Sequence, residues 1–561
     1  MHVSRIIKTV KGKTYQNVYI RQSYRDKNGK VKHRTISNIS SLPEEVINMI
    51  EHMLKGDKYV PLKDIKKVLS SKPYGHVLAI ISTMRKIGLD RVISDRSCRQ
   101  RNIIMVLIAL RIINPCSKLS ASKQLSDKMA TTALNQLLKI DNLDVKEIYE
   151  AMDWLEHRQK GIEKKLADKN LSEGCILLYD VSSTYFEGDK CKIANYGYNR
   201  DGKKGKKQIV WGLICNENGC PIGVEVFPGN TSDVTTLSNQ IEKIKNQYQI
   251  KKVIWISDKG LLTDKSISKE IKTSGFEWIT SIRKCTILKL MKQYPDQLEL
   301  FSEQKEVIAE LETDLFSGER IIFCLNKVRR EKNIQIRHEL IKSAEKELEK
   351  IKGSISNSRS NLKNASQIGL RVGSLFERKK VKKYFNINIT DNDINYTRNE
   401  GAIREAERLD GVYAIRTVVD KSIHGNTDVI KKYKGLINVE FAFRCMKTVD
   451  LEVRPVHHRL EERVKAHFLL CMLAYHVEWQ MRQKLEPLLY DNKSNSEKNK
   501  SISDPNCSYS TFKDLIRHLS TYALNEVSVI SAPDISYYEA SEGLTEIQQR
   551  AFALLEVDIK L

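Results

Sequence analysis

The chain has 561 residues, 94 Lys and Arg against 70 Asp and Glu, a formal charge of +24, and 41% hydrophobic residues. That length buries one or more large cores and makes several domains the default, and the basic surplus favours a polyanionic partner. The 11 Cys show no CxxC pair or regular spacing, which speaks against a zinc framework or disulfide scaffold and fits a reducing, cytoplasmic setting; MHVSRIIKTVKGK lacks a signal-peptide core, and the apolar run IIMVLIAL is too short to span a bilayer.

Residues 1–60 read as a basic β-hairpin arm. YQNVYIRQSY and KVKHRTISNI are strand-like, with Asn28-Gly29 as the turn. Residues 1–35 carry ten Lys or Arg and one acid, Asp26, a pattern that suits phosphates and equally a solvated small sheet. Residues 61–170 read as a helical module. RNIIMVLIALRII is a buried helix ended by Pro115, and DVKEIYEAMDWLEHRQKGIEKKLADK is a second helical stretch. Such a module suits DNA binding, and core packing accounts for it as well.

Residues 171–285 switch to strands. CILLYDV is followed by QIVWGLIC, a turn at Glu217-Asn218-Gly219, and IGVEVFP. A helix capped near Ser232 and Asp233 comes next, then the buried strand VIWIS, a helix near SISKEIKTSG, and the strand WITSIR. Strand, strand, strand, helix, strand, helix, strand is the order of a ribonuclease-H-like α/β domain, a mixed sheet flanked by helices. Residues 286–409 form a charged insertion domain, in which ERIIFCLNK reads as a strand and HELIKSAEKELEKIKGS as a surface or coiled helix with no broad apolar face. The core resumes over 410–487 with GVYAIRTVV, a helix around Glu440, and RLEERVKAHFLLCMLAYHVEWQM; 488–561 are a polar linker, NKSNSEKNKSISDPN, and a tail.

Three acids stand out. Asp180 lies inside the apolar run CILLYDVSSTYF, Asp258 ends KKVIWISD, and Glu440 sits on the helix YKGLINVEFAFRCMK. A carboxylate in an apolar strand needs a counter-charge. One Asp after a strand reads as a turn cap; three such acids in a basic chain read as ligands of divalent metal acting on nucleic acid. Oxygen-only ligands favour Mg²⁺ or Mn²⁺ over Zn²⁺, and two such ions can clamp the attacking and leaving oxygens of a phosphodiester. Tyr433, Glu440 and Lys447 are seven residues apart, which sets them on one helical stripe. Lys447 is read as an exposed phosphate contact, and the alternative is a solvated face with a Glu440–Arg444 pair. The loop YNRDGKKGKKQ brings Arg200, Lys203, Lys204, Lys206 and Lys207 near the first Asp, as DNA contacts or as a solvated loop. His467 and His476 fall on an apolar helix and read as core. No GxxxxGK[ST] loop is present, so no nucleotide cofactor is expected.

The strings YDVSSTYFEG, QIVWGLI, VEVFPGNTSD, WISDKGLL and YKGLINVEFAFRCMK, in this order, resemble the DDE transposases of bacterial insertion sequences, over roughly residues 75–485. They look like the group with a large insertion before the catalytic Glu and a Tyr-Arg-Glu-Lys signature around it. The resemblance implies Asp180, Asp258 and Glu440 as catalytic metal ligands and Tyr433 and Lys447 as the signature Tyr and Lys. The signature Arg position is Leu436 here, with Arg444 nearby. It further implies cut-and-paste transposition through hairpinned ends, with element inverted repeats and target DNA as partners and a homodimer on paired ends. No membrane partner is expected, and the protein would be cytoplasmic, at the nucleoid when DNA-bound. The alternatives are a transposase-derived DNA-binding protein without catalysis and a metal-dependent nuclease without strand transfer.

Overall fold

An antiparallel ribbon of His2–Val10, Lys13–Arg25 and Val31–Asn38 opens the chain. The computed structural model describes residues 1–561 except 11, 58–65, 126–130, 141, 295–305, 312, 358–361, 363, 490–510, 530–531 and 560–561, so the polar linker NKSNSEKNKSISDPN lies outside the described residues. The chain divides into one unit of residues 1–72 with 522–543 and another of 73–521 with 544–560.

In the first unit the expected hairpin is present and gains a third strand from residues 2–10. Asp26 Oδ1 closes the turn by accepting from the Asn28 and Lys30 amides, both at 3.0 Å. The core is small: Val18, Ile39 and Ile47, with Val3, Ile20 and Ile50 against them. Every residue of Val31–Asn38 is exposed, so much of the ribbon stands free of that core. A second sheet pairs Lys66–Pro73 with Ala523–Val529 and that strand with Ala532–Ala540; nothing in the tail's sequence signals this pairing.

The second unit is built on eight strands: β1 Cys175–Tyr185, β2 Gln208–Asn216, β3 Pro221–Phe227, β4 Val253–Ile256, β5 Glu277–Ser281, β6 Glu306–Leu311, β7 Arg320–Asn326 and β8 Val412–Thr417. Their order across the sheet is β6-β7-β8-β5-β4-β1-β2-β3. β1, β4 and β5 are parallel, and the other pairs are antiparallel. Strands β1 to β5 therefore make the ribonuclease-H-like arrangement, a mixed sheet with helices on its faces. The run VIWI of β4 is buried along its whole length, as a central parallel strand must be.

Among the helices of this unit, those that frame the site and the insertion are α1 Arg99–Ile113, α2 Val145–Glu156, α3 Lys327–Ser356, α4 Ala365–Lys379, α5 Asn426–Lys434, α6 Leu436–Arg444 and α7 Glu461–Lys484. α7 is the central one, packed against α1, α2 and β3. It is buried from Phe468 through Glu478, which explains why it has no polar face. α1 ends at Ile113, two residues before Pro115, as the sequence predicts. The insertion lengthens the sheet by β6 and β7. It also holds a core of its own, where the sequence suggested no broad apolar face. α3 buries Ile341, Ala344, Leu348, Ile351 and Ile355. Their alternating spacing of three and four makes a narrow seam, which meets α4 residues Ile368, Val372 and Leu375.

Candidate active site

β1 and β4 run parallel with Leu178 opposite Ile256. Two residues further along, this register sets Asp180, midway along β1, beside Asp258, which lies just past the end of β4. Ser257 fastens the register. Its hydroxyl, fully buried, donates to the Tyr179 carbonyl at 2.7 Å and accepts from Trp255 Nε1 at 2.9 Å. Burial pushes the Asp180 carboxyl up to about 7. The Val181 amide, 2.8 Å from Oδ1, and Arg200 oppose that rise, while Asp258 and Asp233 add to it. Asp258 Oδ1 accepts from the Gly260 and Leu261 amides at 2.9 and 3.1 Å. It therefore does cap a turn, and among the described residues Oδ2 accepts no hydrogen bond.

Glu440 lies on α6, the helix that packs on the strand carrying Asp180. α6 packs on β1 through Val439, Ala442 and Phe443, all buried, with the Phe443 ring 4.7 Å from Trp211. Those positions occupy one face at i, i+3 and i+4, which leaves Glu440 exposed on the other. The turn between β2 and β3 presses on α6: at Gly219, with φ +84°, a Cβ would lie 2.6 Å from Asn438 Cβ. Only glycine meets both demands. Tyr433, at the end of α5, lies within the field of both Asp258 and Glu440. Its phenol lies near the Ser281 side chain at the end of β5. Burial raises its phenol pKa, the Ser281 side chain lowers it, and the charges of Asp258 and Glu440 raise it again.

The expected stripe of Tyr433, Glu440 and Lys447 is not one straight face. Gly435 separates α5 from α6, and Cys445–Val449 forms a π-turn that shifts the helical phase. Lys447, expected to be exposed, has a side chain only 12% exposed. Its ammonium donates to the Ser183 carbonyl at 2.6 Å and to Asp201 Oδ1 at 3.2 Å. Burial lowers its pKa, against the pull of Asp201. Asp201 also takes Arg454 at 2.5 Å and the Tyr185 amide at 3.0 Å. Lys447 thus braces the end of β1 and does not project toward solvent. Arg444 is exposed, with its guanidinium 4.9 Å above the Phe441 ring.

The basic loop stands beside β1. Lys203 lies 5.8 Å from the centre of the Tyr185 ring, Lys206 pairs with Glu187 at 2.7 Å, Lys204 is exposed and Lys207 is half-buried. Sequence reasoning gave no site role to Asp201 or Asp233 and read Arg200 only as one more base in this loop. Arg200 donates to the Val181 carbonyl and to Asp233, which places its charge beside Asp180. One signal was present: Asp201 is the single acid in YNRDGKKGKKQ. His467 and His476 are buried on α7 and bond the Val453 and Pro221 carbonyls, each at 3.1 Å, as core histidines.

Asp180 and Asp258 fit a divalent cation in chemistry. Both are oxygen donors, and the first is a half-buried carboxylate held near a second with too little compensating charge. The three acids do not yet enclose an ion. Among the described residues, the one group of three whose ligand atoms all lie within 4.8 Å of one another is Cys445, Asp450 and Glu478. That group is an ion-pair cluster: Arg482 sits in it, 2.7 Å from Glu478 and 3.0 Å from Asp450.

Residues 171–477 match the transposase DDE domain, and residues 4–60 match the N-terminal domain of IS1634 family transposases. No curated protein matches the chain. Among solved structures, the piggyBac transposase synaptic complex with hairpin DNA is similar at 9% identity and a TM-score of 0.33, over 80% of this chain and 76% of that one.

Proposed function

The chain belongs to the DDE transposases of insertion sequences, and we propose that Asp180, Asp258 and Glu440 are its catalytic carboxylates, holding Mg²⁺ or Mn²⁺. The protein is an enzyme of DNA transposition. In our reading it cuts the terminal inverted repeats of its element and joins the ends to target DNA, by cut-and-paste and as a homodimer on paired ends. It needs no nucleotide cofactor and works in the cytoplasm, at the nucleoid when DNA-bound.

The observation that carries this reading is the Asp180–Asp258 pair: a carboxyl pushed up to about 7 by burial and a neighbouring acid is a place where a bound cation relieves unfavourable charge. Bound metal would activate the attacking oxygen and stabilise the leaving one. The chain's own residues supply the frame. Ser257 and the β1–β4 register orient the two Asp, α6 brings Glu440 over the sheet, and Arg200 places positive charge where a phosphate approaches. Tyr433, Arg444, Lys203, Lys204, Lys206 and Lys207 are proposed to contact DNA, Lys206 after exchanging its Glu187 partner. Lys447 is a positioning residue through Ser183 and Asp201.

A gel assay with a labelled element end, target plasmid and Mg²⁺ tests the whole reading. Cutting followed by joining is expected. Cutting alone would make the protein a nuclease, and binding alone would make it an inactive DNA-binding relative.

A further inference from the structure

Beside the end of β1 lies a cavity of about 290 Å³, lined among others by Arg111, Lys118, Arg454, His457 and His458. The bend at Pro115, between α1 and the short helix Lys118–Gln124, turns Lys118 inward, and it is only 6% exposed. Among the described residues its ammonium has no hydrogen bond or ion pair. Arg111 is 7% exposed, and its guanidinium reaches only neutral carbonyls, Leu451 at 3.3 Å and Cys116 at 3.5 Å. Arg454 shares Asp201 with Lys447. The lining contains one carboxylate, Glu452, which is exposed. Two buried cations without a carboxylate partner are costly unless an anion joins them. Burial, with Arg111 nearby, accordingly pushes the Lys118 ammonium down to about 7, and burial followed by Lys118 and Arg111 pushes the His458 imidazole down to about 3.

We propose that this cavity is an anion site that takes a backbone phosphate of the DNA strand being processed, with Lys118 and Arg111 as its charged donors. The position of the cavity favours a DNA phosphate over a free anion. The Glu187 amide, just past β1, bonds the Val456 carbonyl at 2.9 Å. Arg454, which lines the cavity, connects through Asp201 to Lys447 and the Ser183 carbonyl, three residues from Asp180 on the same strand. A strand whose scissile phosphate lies at the acids and that runs along β1 toward its end would pass the cavity mouth. A Lys or Arg phosphate contact releases counterions and steepens the salt dependence of binding.

The proposal rests on the transposase reading, and the test separates the two. The full chain binds a fluorescent duplex of its element end, without metal, over a salt series. Lys118→Gln should bind about tenfold more weakly and lose about 0.9 from the slope of log affinity against log salt, one phosphate's share. Lys118→Arg should keep both. In DNA-free buffer Lys118→Gln should melt no lower than wild type, because it removes an unpaired buried charge. Unchanged affinity and slope in Lys118→Gln overturn the site while leaving the transposase reading intact; no binding of the end by wild type overturns both. Inorganic phosphate at constant ionic strength is the second probe. If it raises the melting temperature of wild type but not of Lys118→Gln, and DNA affinity is the same in both, the cavity takes a free anion and the proposal fails. Should Lys118→Gln not fold, Lys118→Met takes its place in the same salt series, and unchanged affinity and slope again overturn the site.

Discussion

Asp180, inside β1, and Asp258, just past β4, each follow by two residues the register pair Leu178 opposite Ile256, and Asp258 adds to the rise that burial imposes on the Asp180 carboxyl. The pair has a consequence for stability. Asp180 rises from 3.8 to about 7, so its contribution is full below about pH 4 and is lost as the pH climbs through 7. Ionised Asp180 then costs at most roughly 4 kcal/mol. Metal-free Asp180→Asn should therefore melt higher than wild type at pH 8, with the difference vanishing toward pH 4. Thermal melts across that range check it, and a lower melting temperature for the variant at pH 8 contradicts the charge argument.

Metal should remove that penalty. A ligand bound only to the folded state stabilises it by mass action, so Mg²⁺ or Mn²⁺ at pH 8 should raise the melting temperature of wild type. The rise should disappear in Asp180→Asn and shrink in Asp258→Asn. Equal rises in all three proteins would place the ion elsewhere.

Lys447 makes a different prediction from the one its sequence position suggests. Because it holds the Ser183 carbonyl and Asp201 from a largely buried position, Lys447→Ala should lower stability by about 1–3 kcal/mol and slow cleavage as well. A denaturant titration beside single-turnover rates tests both. A solvent-facing lysine would leave stability untouched.

The ribbon of residues 2–38 exposes Lys27, Lys30 and Arg34 on strands and turns with little core behind them. Replacing all three by Gln should leave the melting temperature within a degree or so, since exposed charges contribute little. The salt dependence of DNA binding should flatten, by up to about 0.9 for each phosphate that is no longer neutralised. Fluorescence anisotropy over a salt series measures it, and an unchanged slope would show that the ribbon does not touch DNA.

Alternation and apolar runs made the core legible in the sequence. CILLYDV, QIVWGLI, VIWI and WITS became β1, β2, β4 and β5 in the expected order, because buried strands carry their pattern locally. The Asn218-Gly219 turn was readable for the same reason. What depended on distant partners was not. The seam on α3 hid among charges because only five apolar residues of its thirty are buried. The inward course of Lys447 followed from a π-turn and from Asp201, almost 250 residues earlier in the chain. The pairing of Lys66–Pro73 with the tail strand Ala523–Val529 has no local signature at all. The neighbourhood of Asp180 and Asp258 was inferable only as two strand ends; the sheet places Asp180 midway along β1 and sets it beside the residue that follows β4 by two.

The central claim is that Asp180, Asp258 and Glu440 hold the metal that cuts DNA. Single-turnover cleavage of a labelled element end in Mg²⁺ by wild type and Asp258→Ala, with DNA affinity measured for each, tests it most directly. Wild type should cut, and Asp258→Ala should bind the end with the same affinity and cut at least about a thousandfold more slowly, a loss of roughly 4 kcal/mol in transition-state stabilisation. Cleavage by Asp258→Ala at a rate near that of wild type would contradict the assignment.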